Sequence, residues 1–114
     1  IQIADTSAGL KKHITLFTPL KESIILKDHL FYPSQIIIPA NKKVKLLIEN
    51  QDSTPEEFDS FDLNREKVLY PNRKSIIYIG PLSKGYYEFF GEFSPNTARG
   101  VVIVSDEGAQ HANN

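Results

Sequence analysis

The 114-residue chain contains no cysteine. That absence removes disulfides, thiolate metal ligands and cysteine nucleophiles together, and it leaves the redox compartment open. Long apolar runs are missing too. The longest, such as Val101 to Val104, are four residues, whereas a membrane-spanning helix takes about 20, so the domain itself is not expected to span a membrane. Charge of one sign is also lacking: 13 Lys and Arg stand against 14 Asp and Glu, a net charge of -1. No basic field holds a phosphate backbone, and nucleic acid is not an expected partner. The 6 glycines are scattered singly. Phosphate-cradling loops, the Gly-x-Ser-x-Gly elbow and the spacing of a helix-loop-helix calcium site are all absent, which argues against a nucleotide enzyme or a hydrolase.

What is present suits one domain. The length falls in the common single-domain range of about 100 to 150 residues, and a chain of this size buries roughly two-thirds of its unfolded surface. Hydrophobic residues make up 40%, with 7 Phe and 5 Tyr to fill a core. They recur in short β-branched and aromatic runs broken by Pro, Gly, Asn and Asp, which predicts an all-β fold. The expected strands are His13 to Thr18, Ser23 to Lys27, Gln35 to Ile38, Lys43 to Glu49, Glu57 to Phe61, Ser75 to Ile79, Tyr86 to Phe93 and Gly100 to Val104. All 7 prolines lie between these runs or at their edges, where a missing ladder donor does no harm. Thr6 to Lys12 and Asp62 to Lys67 are each long enough for one helical turn. A strand about every ten residues, with turn signals between, predicts a Greek-key sandwich rather than a parallel sheet with crossover helices. Residues 1–12 read as an N-terminal extension, 13–105 as the folded domain and 106–114 as a flexible tail. Opening on Ile1, the chain reads as processed or shortened, so a targeting segment is not open to inspection.

Charge is concentrated in one place. Asp52, Glu56, Glu57, Asp59, Asp62 and Glu66 against Arg65 give the stretch 52–66 a charge of -5 and leave the remainder at +4. With Glu57 to Phe61 extended, the period of two places Glu57, Asp59 and Phe61 on one face and Phe58 and Ser60 on the other. Crowded carboxylates repel unless a cation, a proton or a Lys or Arg neutralises them, and hard oxygen ligands suit Ca, Mg, Mn or Fe(II). The competing reading is a solvated acidic loop answered by Lys67, Arg73 and Lys74, or a buried network of Glu66 with Lys67 or Arg65.

The stretch Gly85-Tyr-Tyr-Glu-Phe-Phe-Gly-Glu-Phe-Ser-Pro-Asn-Thr-Ala-Arg-Gly100, followed by an apolar strand, resembles the last hairpin of the cupredoxins. Their pattern there is roughly Gly-x-Tyr-x-Phe-x-Cys-x-x-His-x-x-Met-x-x-Gly. Phe31-Tyr-Pro-Ser-Gln-Ile-Ile-Ile-Pro-Ala-Asn resembles the cupredoxin opening, and Asn50 to Phe58 the segment that brings the first ligand. The resemblance runs from about Ile24 to Val104 and implies a cupredoxin-like Greek-key β-sandwich of seven to eight strands. Matched position by position, the first ligand His falls on Glu56, the Cys on Gly91, the second His on Ser94 and the Met on Thr97. A type 1 copper site needs two His, a Cys and a weak axial ligand, so blue-copper electron transfer is excluded.

A narrower resemblance lies in Thr54-Pro-Glu-Glu-Phe-Asp-Ser-Phe-Asp-Leu-Asn-Arg-Glu-Lys67 and Phe89-Phe-Gly-Glu-Phe93. These words are similar to EfeO-type cupredoxin-like proteins, periplasmic partners of bacterial ferrous-iron permeases. The resemblance implies an iron or copper ion bound through carboxylates and His, and assistance with ferrous-iron oxidation or delivery to an iron permease. It carries the metal role to His29, Glu56, Glu57, Asp59, Glu66 and Glu92. Ser94, where a His would be the natural nitrogen ligand, predicts a weaker or rearranged site. The alternative is a metal-free sandwich that docks to an envelope partner through its loops. Two further expectations concern the last hairpin: Tyr86, Tyr87, Phe89, Phe90 and Phe93 read as core rings, and Gly91 as a place of close approach.

Overall fold

The computed structural model describes residues 19–106. Nine strands follow one another: β1 (Leu20–Lys27), β2 (Leu30–Tyr32), β3 (Gln35–Pro39), β4 (Val44–Asn50), β5 (Glu56–Ser60), β6 (Arg65–Leu69), β7 (Arg73–Ile79), β8 (Gly85–Gly91) and β9 (Arg99–Ser105). Among the described residues there is no helix. The strand expected at His13 to Thr18 and the helical turn at Thr6 to Lys12 lie outside them.

The strands form a sandwich of two sheets, one ordered β2-β1-β4-β7 and the other β3-β9-β8-β5-β6. Period-two burial makes the core. Along β4, Val44, Leu46, Ile48 and Asn50 are buried while Lys45, Leu47 and Glu49 between them are half-buried, the pattern of a strand with one face inward. At the centre Phe58 stacks on Phe89 at 5.0 Å, and Phe31 meets Phe89 edge-on at 5.3 Å and Phe58 at 6.3 Å. Ring pairs in these arrangements add to what burial alone gives.

The sandwich expected from the strand spacing forms, with mixed sheets in which β1 is parallel to β4 and β3 to β9. The chain leaves one sheet after β2 and joins the other at β3, so a strand gains a parallel neighbour without a crossover helix. Two expectations require correction. First, Asp62 to Lys67 is not helical: Phe61 to Asn64 turn, and β6 pairs antiparallel with β5 from Ser60↔Arg65 to Glu56↔Leu69. Ser60 Oγ accepts from Leu63 N at 3.0 Å and donates to Glu88 O at 2.6 Å, and Asn64 adopts φ 55°, so local side-chain bonding closes a hairpin instead of a helical turn. Second, Phe89 is the ring of the last hairpin that is wholly buried, Tyr87 packs partly against the core, and Tyr86 and Phe93 are exposed. Alternate positions of β8 face outward, and Phe93 lies past the strand's end.

Candidate metal centre

Strand β5 presents its acids on two faces. Phe58 points inward between Glu57 and Asp59, which therefore share the outer face of the five-stranded sheet. The β5–β6 register places Glu66 directly opposite Asp59, where cross-strand side chains stand close together. One carboxylate oxygen from each of Glu57, Asp59 and Glu66 lies within 4.8 Å of the other two. Glu92 follows the end of β8, and its backbone N donates to Glu57 O at 2.8 Å. That bond extends the β5–β8 ladder by one step and brings the Glu92 side chain near enough to Asp59 to act on its carboxyl.

Asp59 is the enclosed member of the group, only 8% exposed, and its Oδ1 has no hydrogen-bond partner. Its burial, followed by hydrogen bonds and charge repulsion from Glu57 and Glu92, pushes its carboxyl from 3.8 up to about 7. Among the described residues no base forms an ion pair with these four acids. The ion pairs among the described residues are His29 with Asp52, Lys84 with Asp106 and Arg99 with Glu88. Arg65, the nearest base in sequence, is committed elsewhere: Nε donates to Tyr78 O at 3.0 Å, and Nη1 donates to Leu63 O and Asn64 O. The expected answer from Lys67, Arg73 and Lys74, and the network of Glu66 with Arg65 or Lys67, do not form.

A cleft of about 300 Å³ opens beside the cluster, lined by Asp59, Ser60, Phe61, Asn64, Arg65 and Glu66. Hard cations sit about 2.0 to 2.6 Å from each oxygen, so oxygens within 4.8 Å of one another span the coordination sphere of a single ion. Ser60 and Asn64 are not singled out by the sequence reading, because neither is charged and only the β5–β6 pairing brings them beside Asp59 and Glu66. The signal available was the hairpin itself, an Asn between two polar-outward strands.

Of the six residues to which the resemblance carried a metal role, Glu57, Asp59 and Glu66 meet, Glu92 reaches their edge at Asp59, and Glu56 and His29 do not join them. Glu56 faces inward at 2% exposure. Its Oε1 accepts from Glu57 N and Phe93 N, both at 2.8 Å, and its Oε2 has no partner. Gly91 is the close approach that was expected: a Cβ there would lie 2.6 Å from Glu56 Cδ and Oε2 and 2.8 Å from the Ala98 Cβ.

His29 occupies the β1–β2 turn, where Asp28 and His29 take φ 53° and 62°. The Asp52 carboxylate holds that turn, accepting from Asp28 N at 2.6 Å and His29 N at 3.0 Å. Ser94 Oγ lies 3.3 Å from His29 Nδ1, and Asp52 Oδ2 lies 3.8 Å from the same nitrogen. A Ser–His–acid relay needs the serine and the acid on opposite ring nitrogens, so the three residues do not form one.

Comparison with known proteins gives a family and a consistent fold. Residues 14–104 match the family described as the cupredoxin-like domain. An uncharacterised protein of Rickettsia prowazekii (strain Madrid E) is 45% identical over 87 residues, which are 76% of this chain and 70% of that protein. Among solved structures, auracyanin A, a blue copper protein from Chloroflexus aurantiacus, superposes with a TM-score of 0.67 at 10% identity, covering 77% of this chain and 100% of its own. The periplasmic domain of cytochrome oxidase subunit II from Bradyrhizobium japonicum also reaches 0.67 at 10% identity, covering 82% and 88%. At such identities the likeness establishes the sandwich and leaves the site to be read from this chain's own residues.

Proposed function

The chain belongs to the cupredoxin-like domain family, and from that premise we propose that it is a metal-binding accessory protein rather than a blue-copper electron carrier. Glu57, Asp59, Glu66 and Glu92 hold a hard divalent cation on the outer face of the five-stranded sheet, Fe(II) by preference and Mn(II) as its stand-in. One observation carries the reading: a carboxyl enclosed to 8% exposure, with an oxygen that meets no donor, stands among acids that no Lys or Arg of the described residues pairs with. Such an arrangement costs stability unless a proton or a cation enters. The copper that the family implies does not fit the family's own position. Gly91 brings no thiol there, and the carboxyl of Glu56 occupies the space beside it, so no step is routed through a type 1 centre.

The finer role rests on the resemblance to EfeO-type proteins. In that role the protein works in the periplasm, as the name of one structural neighbour suggests for that neighbour, and offers ferrous iron to a permease or assists its oxidation. All-oxygen coordination at an open cleft suits the task, since it binds Fe(II) and releases it to a stronger nitrogen or thiolate site. The test is the unfolding midpoint of metal-stripped protein with Fe(II) under anaerobic conditions, and with Mn(II) and Cu(II) in parallel. A cation at about 100 times its dissociation constant stabilises the native state by about 2.7 kcal/mol, a rise of several degrees for a domain of this size. The rise is expected with Fe(II) and Mn(II) and is expected to vanish in Asp59→Asn and Glu57→Gln. No rise with any of the three metals overturns the reading.

A second reading has its own observation. Phe61 is 86% exposed and Phe93 57%, an unusual display of rings for a solvent-facing surface. A metal-free module that docks to an envelope partner through Phe61 and Phe93 is the function left standing if the midpoint is insensitive to metal.

A further inference from the structure

Glu56 is the most enclosed acid among the described residues, at 2% exposure, and the proposed cation site makes no direct use of it. Its position in the sequence, next to Glu57, invites a ligand role. The structure gives it another. A single oxygen, Oε1, accepts from the backbone N of its chain neighbour Glu57 and from that of Phe93, 37 residues further along than Glu56, both at 2.8 Å.

The first of those amides belongs to a residue of the acid cluster, and the second directly follows another. Between them, Glu92 N donates to Glu57 O at 2.8 Å. This is also where the β5–β8 ladder ends, since its paired register consists of Phe58↔Gly91 and Asp59↔Phe90. Beyond Gly91 the chain turns away through Ser94, whose N donates to Gly91 O at 3.1 Å. Without an acceptor at Oε1, the Phe93 amide loses its partner and one backbone bond is left holding Glu92 to β5.

Gly91 belongs to the same device. A Cβ at that position would fall 2.6 Å from the Glu56 carboxyl, so the absence of a side chain is what lets Glu56 lie across the end of the ladder.

We infer that Glu56 is a positioning residue: its inward carboxyl fastens the backbone of Glu57 to the loop after β8 and so holds Glu92 against Asp59 on the opposite face. This rests on the reading of the four acids as a cation site. It differs from a ligand role in what it requires, namely an acceptor oxygen of the right reach and no negative charge. Glu56→Gln keeps the reach and loses the charge. Glu56→Asp keeps the charge and loses the reach. Glu56→Met fills the space and loses the acceptor.

The experiment is Mn(II) titration of the metal-stripped full chain, followed by the electron paramagnetic resonance of free Mn(II), with hydrogen exchange of the Glu57 and Phe93 amides measured on the same samples. Supporting groups around metal ligands commonly govern affinity by about 10- to 100-fold. Glu56→Gln is expected to bind within about 3-fold of the wild type, and Glu56→Asp and Glu56→Met to bind at least about 10-fold more weakly, with faster exchange at Phe93. The double variant Glu56→Met/Glu92→Gln is expected to lose no more affinity than Glu92→Gln alone, because Glu56 acts through Glu92.

Full additivity in that double variant, or wild-type affinity in Glu56→Asp, overturns the inference while leaving the cation site intact. Strong loss in Glu56→Gln with affinity kept in Glu56→Asp assigns Glu56 an electrostatic role and also overturns it. A wild type that binds no Mn(II) overturns the cation site, and the positioning role with it. Should Glu56→Met not fold, the Asp and Gln variants, with their additivity against Glu92→Gln, decide the question.

Discussion

Asp59 answers to pH in opposite ways with and without a cation. Its carboxyl, near 3.8 when the chain is unfolded, lies at about 7 in the fold because of burial and of Glu57 and Glu92 beside it. Between these values the folded state holds a proton that the unfolded state has released, so stability falls as pH rises. The penalty is absent below about 4 and complete above about 7. The melting temperature of metal-free protein is therefore expected to decline between pH 5 and pH 7.5, measured by circular dichroism in buffers of matched ionic strength, and the decline is expected to shrink in Asp59→Asn. A cation must displace that proton, so Mn(II) affinity is expected to climb over the same range and binding at pH 6 to release protons, measurable in a weakly buffered titration.

Asn50 at the end of β4 shows how one strand end sets several elements. Fully buried, it donates from Nδ2 to Thr54 O at 3.0 Å and to Leu69 O at 2.9 Å, while its Oδ1 accepts from Asp52 N at 2.8 Å. Asp52 in turn grips the β1–β2 turn. Asn50→Ala strands these backbone groups and is expected to cost about 2 to 3 kcal/mol in urea unfolding, with loosened amide protection at Asp28 and His29. The same scale explains what the sequence disclosed. Runs such as Lys43 to Glu49 and Gly100 to Val104 are rich in β-branched and apolar residues and bounded by turn residues, so they read as strands, and Glu57, Phe58 and Asp59 sort to the faces that period two assigns. Strand β6 escapes because it is an edge strand with Leu69 as its one buried side chain, so its Arg-Glu-Lys opening carries no apolar signal. Strand β2 escapes because its turn is made by Asp28 and His29 with positive φ, where Asn or Gly is the usual mark. Glu92 and Glu66 were legible as acids near one end, but only strand register places Glu66 opposite Asp59. No local pattern separates the outward Glu57 from the inward Glu56 in function.

Across the whole molecule, charge is sorted as well as balanced. The stretch 52–66 carries -5 against +4 for the rest, so a cation approaching the cleft meets a local field that the net charge of -1 conceals. Fields of this kind are screened within about 10 Å at 0.1 M salt and about 3 Å at 1 M. Mn(II) affinity is therefore expected to fall several-fold between about 0.05 and 0.5 M NaCl at fixed pH, read by the same resonance titration. The core is expected to respond differently: Phe58→Ala or Phe89→Ala, each removing a wholly buried ring, costs about 3 to 5 kcal/mol at either salt concentration. The Glu56–Gly91 contact, finally, interlocks two positions of the chain. A Cys introduced at 91 alone collides with the Glu56 carboxyl, whose Cδ stands 2.6 Å from where its Cβ must go. A His introduced at 56 alone gives up the oxygen that ties Glu57 to Phe93. The two positions therefore constrain one another, and because Ser94 and Thr97 also lack the family's ligand side chains, changing 56 and 91 together does not by itself create a type 1 site.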